Sequence, residues 1–397
     1  LIAVAACATS VDDPEPATTP PASDDAGPVT PGVDAGVAVD ASDGAAPDGA
    51  PRARCGDGWC YDPLPDATTW FPDGFGWRFA AAWADPILGA WALAGDGNAP
   101  PRLLHFDGTT WVPVHAVVDP SATKASAAKG IPWAMTGDGK GHIVAVAVDA
   151  DGVTLAAHLD ASGFRVKALP YAMFGGSYVD PRGAWLRQAD EIWIASALTI
   201  VHQVPSGTAG SVTVPDGSTW RIEAGLLPAG TFGGITMWSA DASSALIAST
   251  AMFAGGTDGF VASVVPAASG APTVTVTPLP PFGAFTSMVT TAAGGVAPRA
   301  WVAANYYVAQ VGLDAGAVVL TPTDGGLPSA NAIGSAAPGA WAVGGAGNIY
   351  RDDGTAWKAA TPVIDGVPAT ANLTAVASLP SGETWVFGNN VVLHRRP

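Results

Sequence analysis

Short apolar runs separated by glycine turns recur along most of the chain. The stretch from Gly339 to Trp357, GAWAVGGAGNIYRDDGTAW, shows the unit most plainly. A run around Trp341 ends in Gly344, Gly345 and Gly347, a second covers Asn348 to Arg351, and Asp353-Gly354 leads into a third at Trp357. Runs of this length between turn residues read as antiparallel strands, and no 3.6-residue period supports a helix. The unit predicts strand A near Asn331–Ala336, B at Ala340–Gly344, C at Asn348–Arg351 and D at Thr355–Ala359.

B-type runs align at Trp91, Val144, Trp193, Leu246, Trp301, Trp341 and Trp385, 40 to 55 residues apart. That spacing fits one four-stranded propeller blade per repeat, the size class of WD40 and kelch units. D-type strands are expected at Thr109–Val114, Phe164–Leu169, Ser218–Glu223, Pro272–Thr277 and Val318–Thr321. The last repeat has no room for a D strand after Val391–His394, and Thr68-Thr69-Trp70-Phe71 near the front resembles an orphan one. Pairing the two would close the ring and leave no open sheet edge. The expected fold is therefore all-β: a seven-bladed β-propeller of four-stranded antiparallel blades over 68–397, with six or eight blades as alternatives.

Composition changes the picture at the N-terminus. Leu1 to Ala6 is apolar and small, and Val4-Ala5-Ala6-Cys7 resembles a bacterial lipobox, with Cys7 as the lipidated residue; residues 1–7 then read as the remnant of a signal peptide. Residues 8–54 are rich in Ala, Pro, Asp, Thr and Gly, contain no aromatic residue, and set nine acidic residues against Arg52 and Arg54. Such a segment buries too little apolar surface to offset its ordering entropy, so it is expected to be a disordered tether reaching roughly 40 Å. Cys55 and Cys60 bracket CGDGWC in the lead-in over 55–67 and are expected to form a small disulfide loop.

The net charge of −17, with 17 scattered basic residues, argues against nucleic acid, which needs a basic patch. No later apolar run approaches the roughly 18 residues of a membrane helix. The pattern W-A-V-G … G … I … D-G … W over residues 55–397 resembles the Trp- and Gly-rich propeller repeats of surface lipoproteins of the myxobacterial type. That resemblance implies a fold and an extracytoplasmic, outer-membrane or cell-surface location rather than an activity.

Candidate chemistry is sparse. Gly108–Trp111, Gly217–Trp220 and Asp352–Trp357 are similar to sialidase Asp-boxes but degenerate, and such turns are structural even in sialidases. His105, His158, His202 and His394 each end a C strand of a different repeat, with Arg351 in the same place, so they are expected not to share one ion; His115 and His142 read as isolated. The Asp138 and Asp149 turns lack the further oxygens of a calcium loop. No metal, cofactor or catalytic residue is expected.

Repeated Trp residues read as core. Aromatics outside the repeat, assigned to the D–A and B–C connections of one face, are the candidate ligand-binding residues: Tyr171, Met173, Phe174, Tyr178, Phe232, Met252, Phe253, Phe282, Phe285, Tyr306 and Tyr307. The expected function is a monomeric, membrane-tethered, non-catalytic module that recognises a protein or polysaccharide. A scaffold for outer-membrane assembly and a polysaccharide-active enzyme are the alternatives.

Overall fold

The computed structural model describes residues 54–71, 76–119, 130–169, 183–189, 191–196, 199–214, 216–224, 226, 231–238, 245–253, 256–267, 270–278, 285–291, 299–304, 307–314, 317–322, 330–336, 339–353 and 356–397. Cys7 and the 8–53 stretch lie outside them. The unit from Pro51 to Pro397 is all-β, and its described residues form seven antiparallel sheets of four or five strands plus a small hairpin at Val363–Ile364 and Val367–Pro368.

Sheet I comprises Phe79–Asp85, Gly89–Ala94, Arg102–Phe106 and Trp111–Ala116. Sheet II comprises Gly130–Gly137, Ile143–Asp149, Thr154–Asp160 and Gly163–Leu169, and sheet III Gly183–Gln188, Glu191–Ala195, Thr199–Gln203 and Thr219–Ala224, with Ser211–Thr213 added outside. Sheet IV is Thr231–Trp238, Ala245–Phe253, Gly256–Val265 and Thr273–Pro278; sheet V is Phe285–Thr291, Arg299–Ala304, Tyr307–Asp314 and Ala317–Pro322. Sheet VI is Ala330–Ala336, Gly339–Gly344, Ile349–Asp352 and Trp357–Ala359. Sheet VII is Leu373–Ser378, Thr384–Gly388 and Val391–Arg395, completed by Trp59–Tyr61 and Cys55–Gly56.

All seven B-type runs are second strands, and the pattern of burial explains their composition. In Gly89–Ala94, Ile143–Asp149, Glu191–Ala195, Gly339–Gly344 and Thr384–Gly388 nearly every residue is buried, on both faces. A strand covered on both faces needs a continuous apolar run rather than alternation. The fourth strand Trp111–Ala116 alternates instead, with Val112 and Val114 exposed. Aspartates close the hairpins: Asp149 Oδ1 accepts from the backbone N–H of Asp151 and Val153, and Asp138 Oδ1 from those of Lys140 and His142. These are side-chain-capped turns.

The first strands pack side by side in chain order from sheet I to sheet VII, and Phe79–Asp85 also packs against Leu373–Ser378. A second repeated contact links the sheets. The fourth-strand tryptophan of one sheet meets the second-strand tryptophan of the preceding sheet edge to face: Trp357 on Trp301 at 5.2 Å, Trp59 on Trp341 at 5.4 Å, and Trp111 on Trp385 at 6.4 Å. Trp220 packs into the matching cluster at Val144.

One expectation is corrected here. Thr68–Phe71 is not the strand that completes the last sheet: Ala67–Thr69 is a 3-10 turn capped by Asp66, whose Oδ1 accepts from Thr68 N–H. The completing strand is Trp59–Tyr61, in register Trp59↔Arg395, Cys60↔His394 and Tyr61↔Leu393. The reason is the hairpin. Asp57 and Gly58 both take left-handed φ, +51° and +77°, the turn that a two-residue β-hairpin needs, and Cys55–Cys60 is a disulfide across it. Gly56 is required by close approach, since a Cβ there would run into the Val363 backbone. Asp62 then ties the segment down: its Oδ1 lies 3.2 Å from His394 Nδ1, and its Oδ2 accepts from Trp111 Nε1.

Candidate functional site

The repeat places one third-strand side chain opposite each second-strand B position. The pairs are Trp91↔His105, Val144↔His158, Trp193↔His202, Leu246↔Ser263, Trp301↔Gln310, Trp341↔Arg351 and Trp385↔His394. Cross-strand pairs of this kind bring side chains together on one face. His202 stacks 3.9 Å from Trp193 and His394 4.7 Å from Trp385, His105 lies tilted 4.6 Å from Trp91, and the Arg351 guanidinium sits 5.4 Å over Trp341. These four third-strand histidines thus stand in four different sheets, as expected from their spacing.

Their surroundings differ. His394 is sealed between Asp62 and Glu383, with Nε2 2.8 Å from Glu383 Oε1, and serves to join the ends of the unit. His202 borders a cavity of about 980 Å³ between one end of sheet III and Ala267, Gly270 and Pro272, which follow the third strand of sheet IV. Arg187, Glu191, Arg221 and Gln203 line it, and Glu223 stands behind them. Arg187 Nη1 donates to both carboxylate oxygens of Glu191 at 2.9 Å, and Glu191 Oε1 also accepts from Trp193 Nε1. Glu223 Oε1 lies 2.9 Å from Arg221 Nε and 3.1 Å from His202 Nε2. A proton on His202 Nε2 would complete a hydrogen bond to the Glu223 carboxylate. Burial holds the His202 pKa below the ordinary histidine value, a shift that Glu223 and Glu191 oppose and Arg221 reinforces.

Glu191 in the cavity and Glu223 behind it are therefore each engaged by an arginine, and both arginine side chains are held in place while partly exposed. Arg221 and Glu223 are alternate residues of one strand, so they share a face. Arg187 and Glu191 flank one tight hairpin. The arrangement presents fixed donors and acceptors in a concave setting, which suits binding of a ligand dense in hydroxyl or acidic oxygen atoms.

The aromatic candidates fare differently. Tyr171, Met173, Phe174, Tyr178, Phe282 and Tyr306 lie outside the described residues. Phe232, Met252, Phe253, Phe285 and Tyr307 belong to strands and not to connections. The ladder runs on past the apolar run: Met252 pairs with Thr257 and Phe253 with Gly256 because the ten-residue strand Gly256–Val265 offers partners to the hairpin tip. Phe285 and Tyr307 both pair with Ala304, in one row. These five mark the sheet end where second strands finish, and the cavity lies at the other end, where they begin.

Sequence reasoning missed Arg187, Glu191, Arg221 and Glu223. The available signal was the alternation in TWRIE together with the oppositely charged pair about Gln188-Ala189-Asp190. It also treated His115 and His142 as isolated. His115 stacks on Phe164 at 4.1 Å, and His142 lies 5.7 Å from His158.

No family model matches the chain, and no curated protein matches it. Solved structures do resemble it. A streptogramin B lyase superposes with a TM-score of 0.54 at 14% identity, covering 81% of this chain and 93% of its own. YCF48 from Cyanidioschyzon merolae superposes with a TM-score of 0.53 at 14% identity, covering 86% of this chain and 99% of its own. Both are of β-propeller type, and with the repeated four-stranded antiparallel sheets they show the fold of this chain to be a β-propeller.

Proposed function

We propose that the chain is an extracytoplasmic, membrane-tethered recognition module. Its propeller has seven blades and is closed by the N-terminal hairpin. Support for closure comes from the first strands packing in cyclic order, from Trp111 of sheet I on Trp385 of sheet VII, and from Trp59–Tyr61 as the fourth strand of sheet VII. The lipobox-like Val4–Cys7, the acidic low-complexity linker and the Cys55–Cys60 disulfide support export and tethering.

The observation that carries the recognition reading is the cavity beside His202, with its two fixed Arg–Glu pairs. Its ligand is a saccharide. A sugar offers vicinal hydroxyls that can donate to the Glu191 carboxylate and accept from the Arg187 and Arg221 guanidiniums, all three of which line the cavity, with Glu223 holding Arg221 from behind. The lyase likeness, at 14% identity, carries the fold alone.

The test is capture of bacterial and host glycans by the full chain on an array. R221A and R187A are expected to weaken the best binder at least about tenfold, a change of roughly 1.4 kcal/mol, with an unchanged circular dichroism spectrum. Capture that survives both substitutions but is lost in the Y171A/F174A variant would move recognition away from this cavity. Absence of any glycan binder would refute the saccharide reading.

A further inference from the structure

Sheet II departs from the repeat at the B position, where Val144 stands in place of tryptophan. The ring beside the third-strand histidine is then another imidazole: His142 lies 5.7 Å from His158, with an interplanar angle of 28°. Asp160 completes the group. His142 Nδ1 and His158 Nε2 are each 4.0 Å from Asp160 Oδ2, and one ligating atom from each residue falls within 4.8 Å of the others. Neither ring nitrogen has a hydrogen-bond partner, although both atoms are buried and the His158 side chain is only 3% exposed. Leaving a buried polar atom unpaired is costly, so two such ring nitrogens, each 4.0 Å from one carboxylate oxygen, call for an explanation.

We propose that His142, His158 and Asp160 form a binding site for a divalent transition metal of the zinc class. Two imidazoles and one carboxylate are a borderline donor set, suited to Zn²⁺, Co²⁺, Ni²⁺ or Cu²⁺ and poorly suited to Ca²⁺ or Mg²⁺. With metal–ligand bonds of about 2.0–2.2 Å, tetrahedral ligand atoms lie roughly 3.3 Å apart, so each group needs to move by less than about 1 Å. The carboxylate is already oriented for this role: Asp160 Oδ1 accepts from the Ser162 N–H and hydroxyl, which leaves Oδ2 directed at the imidazoles. Three protein ligands leave one tetrahedral position for water or a ligand group.

Arg165 is the competitor. Its guanidinium pairs with Asp160 Oδ2, lies 3.3 Å from His158 Nδ1 and donates to Ser162 Oγ at 3.3 Å, on a side chain that is half exposed. A metal ion would displace it. This site is independent of the saccharide cavity, so either proposal can fail without the other.

The experiment uses the untagged full chain, stripped with chelator and titrated with Zn²⁺ by calorimetry and with Co²⁺ by visible absorption. One equivalent of each is expected, with Co²⁺ giving the intense bands of a tetrahedral site. Loss of an outer-shell partner typically costs about 10–100-fold in metal affinity, so loss of a direct ligand in H142A or D160N is expected to cost at least roughly a hundredfold. R165A should bind about tenfold tighter, because it removes a positive charge a few ångströms from a dication. H142A changes a partly exposed ring and D160N is isosteric, and circular dichroism checks that each folds. Failure of the wild-type chain to bind one equivalent would overturn the proposal, as would H142A and D160N binding as tightly as wild type.

Discussion

The completing strand of sheet VII can be tested through one side chain. Trp59 is 2% exposed and packs among Trp341, Ile364, Val376, Val386 and Leu393. An indole buries about 150–250 Å², which at about 25 cal/mol per Å² corresponds to roughly 4–6 kcal/mol. Correcting for the Cβ that alanine keeps and for the compactness of the unfolded chain leaves about 3–4 kcal/mol. The edge-to-face contact with Trp341 adds about 0.5–1.5 kcal/mol. W59A is therefore expected to destabilise by about 4 kcal/mol, within the range measured for buried Trp-to-Ala changes. The control is W70A, in the stretch that the repeat pattern alone would choose as the closing strand. Trp70 is half-buried, with the Arg102 guanidinium 4.5 Å from its ring, and its loss is expected to cost about 1–2 kcal/mol. Urea unfolding of the full chain, followed by far-ultraviolet circular dichroism, gives both values. If W70A costs as much as W59A, or W59A costs under about 1.5 kcal/mol, Trp59–Tyr61 does not complete the sheet.

Replacing Cys55 and Cys60 together by serine opens a loop of sequence separation 5 and is expected to cost about 2 kcal/mol by loop entropy; thermal melts of the wild-type chain with and without reductant should reproduce the loss, and identical melts would contradict it. His202 makes stability pH-dependent. Its folded pKa is depressed by burial, so the unfolded chain binds the proton first; the contribution is whole above about pH 6.5 and falls as pH drops below that value, by up to about 1.4 kcal/mol per pH unit. H202Q should flatten the profile between pH 7 and 5, and parallel profiles would exclude His202 as the cause. H394A removes the ring between Asp62 and Glu383 and is expected to cost about 2–4 kcal/mol in the same urea assay; a neutral result would show that the ends are joined by the Trp59 strand alone. Deleting residues 8–49 should leave the melting temperature unchanged, whereas deleting 55–75 should lower it sharply; equal temperatures would remove the hairpin from the fold.

Local physics made most of the architecture readable from the chain. A strand covered on both faces must be apolar at every position, so the second strands announce themselves as runs around Trp91, Trp193, Trp341 and Trp385. Turns demand glycine and aspartate, so the spacing of strands was legible, and strands A to D of the Trp341 repeat fall within two residues of where they were expected. The disulfide was legible from spacing alone. The closing strand was half legible: Asp57-Gly58-Trp59 carries the same D-G…W signal as Asp353-Gly354 and Trp357, yet it is short and lies outside the regular spacing.

Which distant groups meet was decided by the packing of one sheet on the next and by the register within each. His142 and His158 are 16 positions apart with no shared motif, and they become neighbours because a hairpin returns the chain and Val144 leaves room beside the ring. Arg187, Glu191, Arg221 and Glu223 come from strands that carry no repeat signal at those positions, and register brings the Arg187–Glu191 hairpin and Arg221 to one cavity with Glu223 behind them. A pattern of apolar residues reports what is buried on a strand. It holds no information on which polar side chain from another strand, tens of residues away, will stand opposite, since that depends on register and on the contact between sheets.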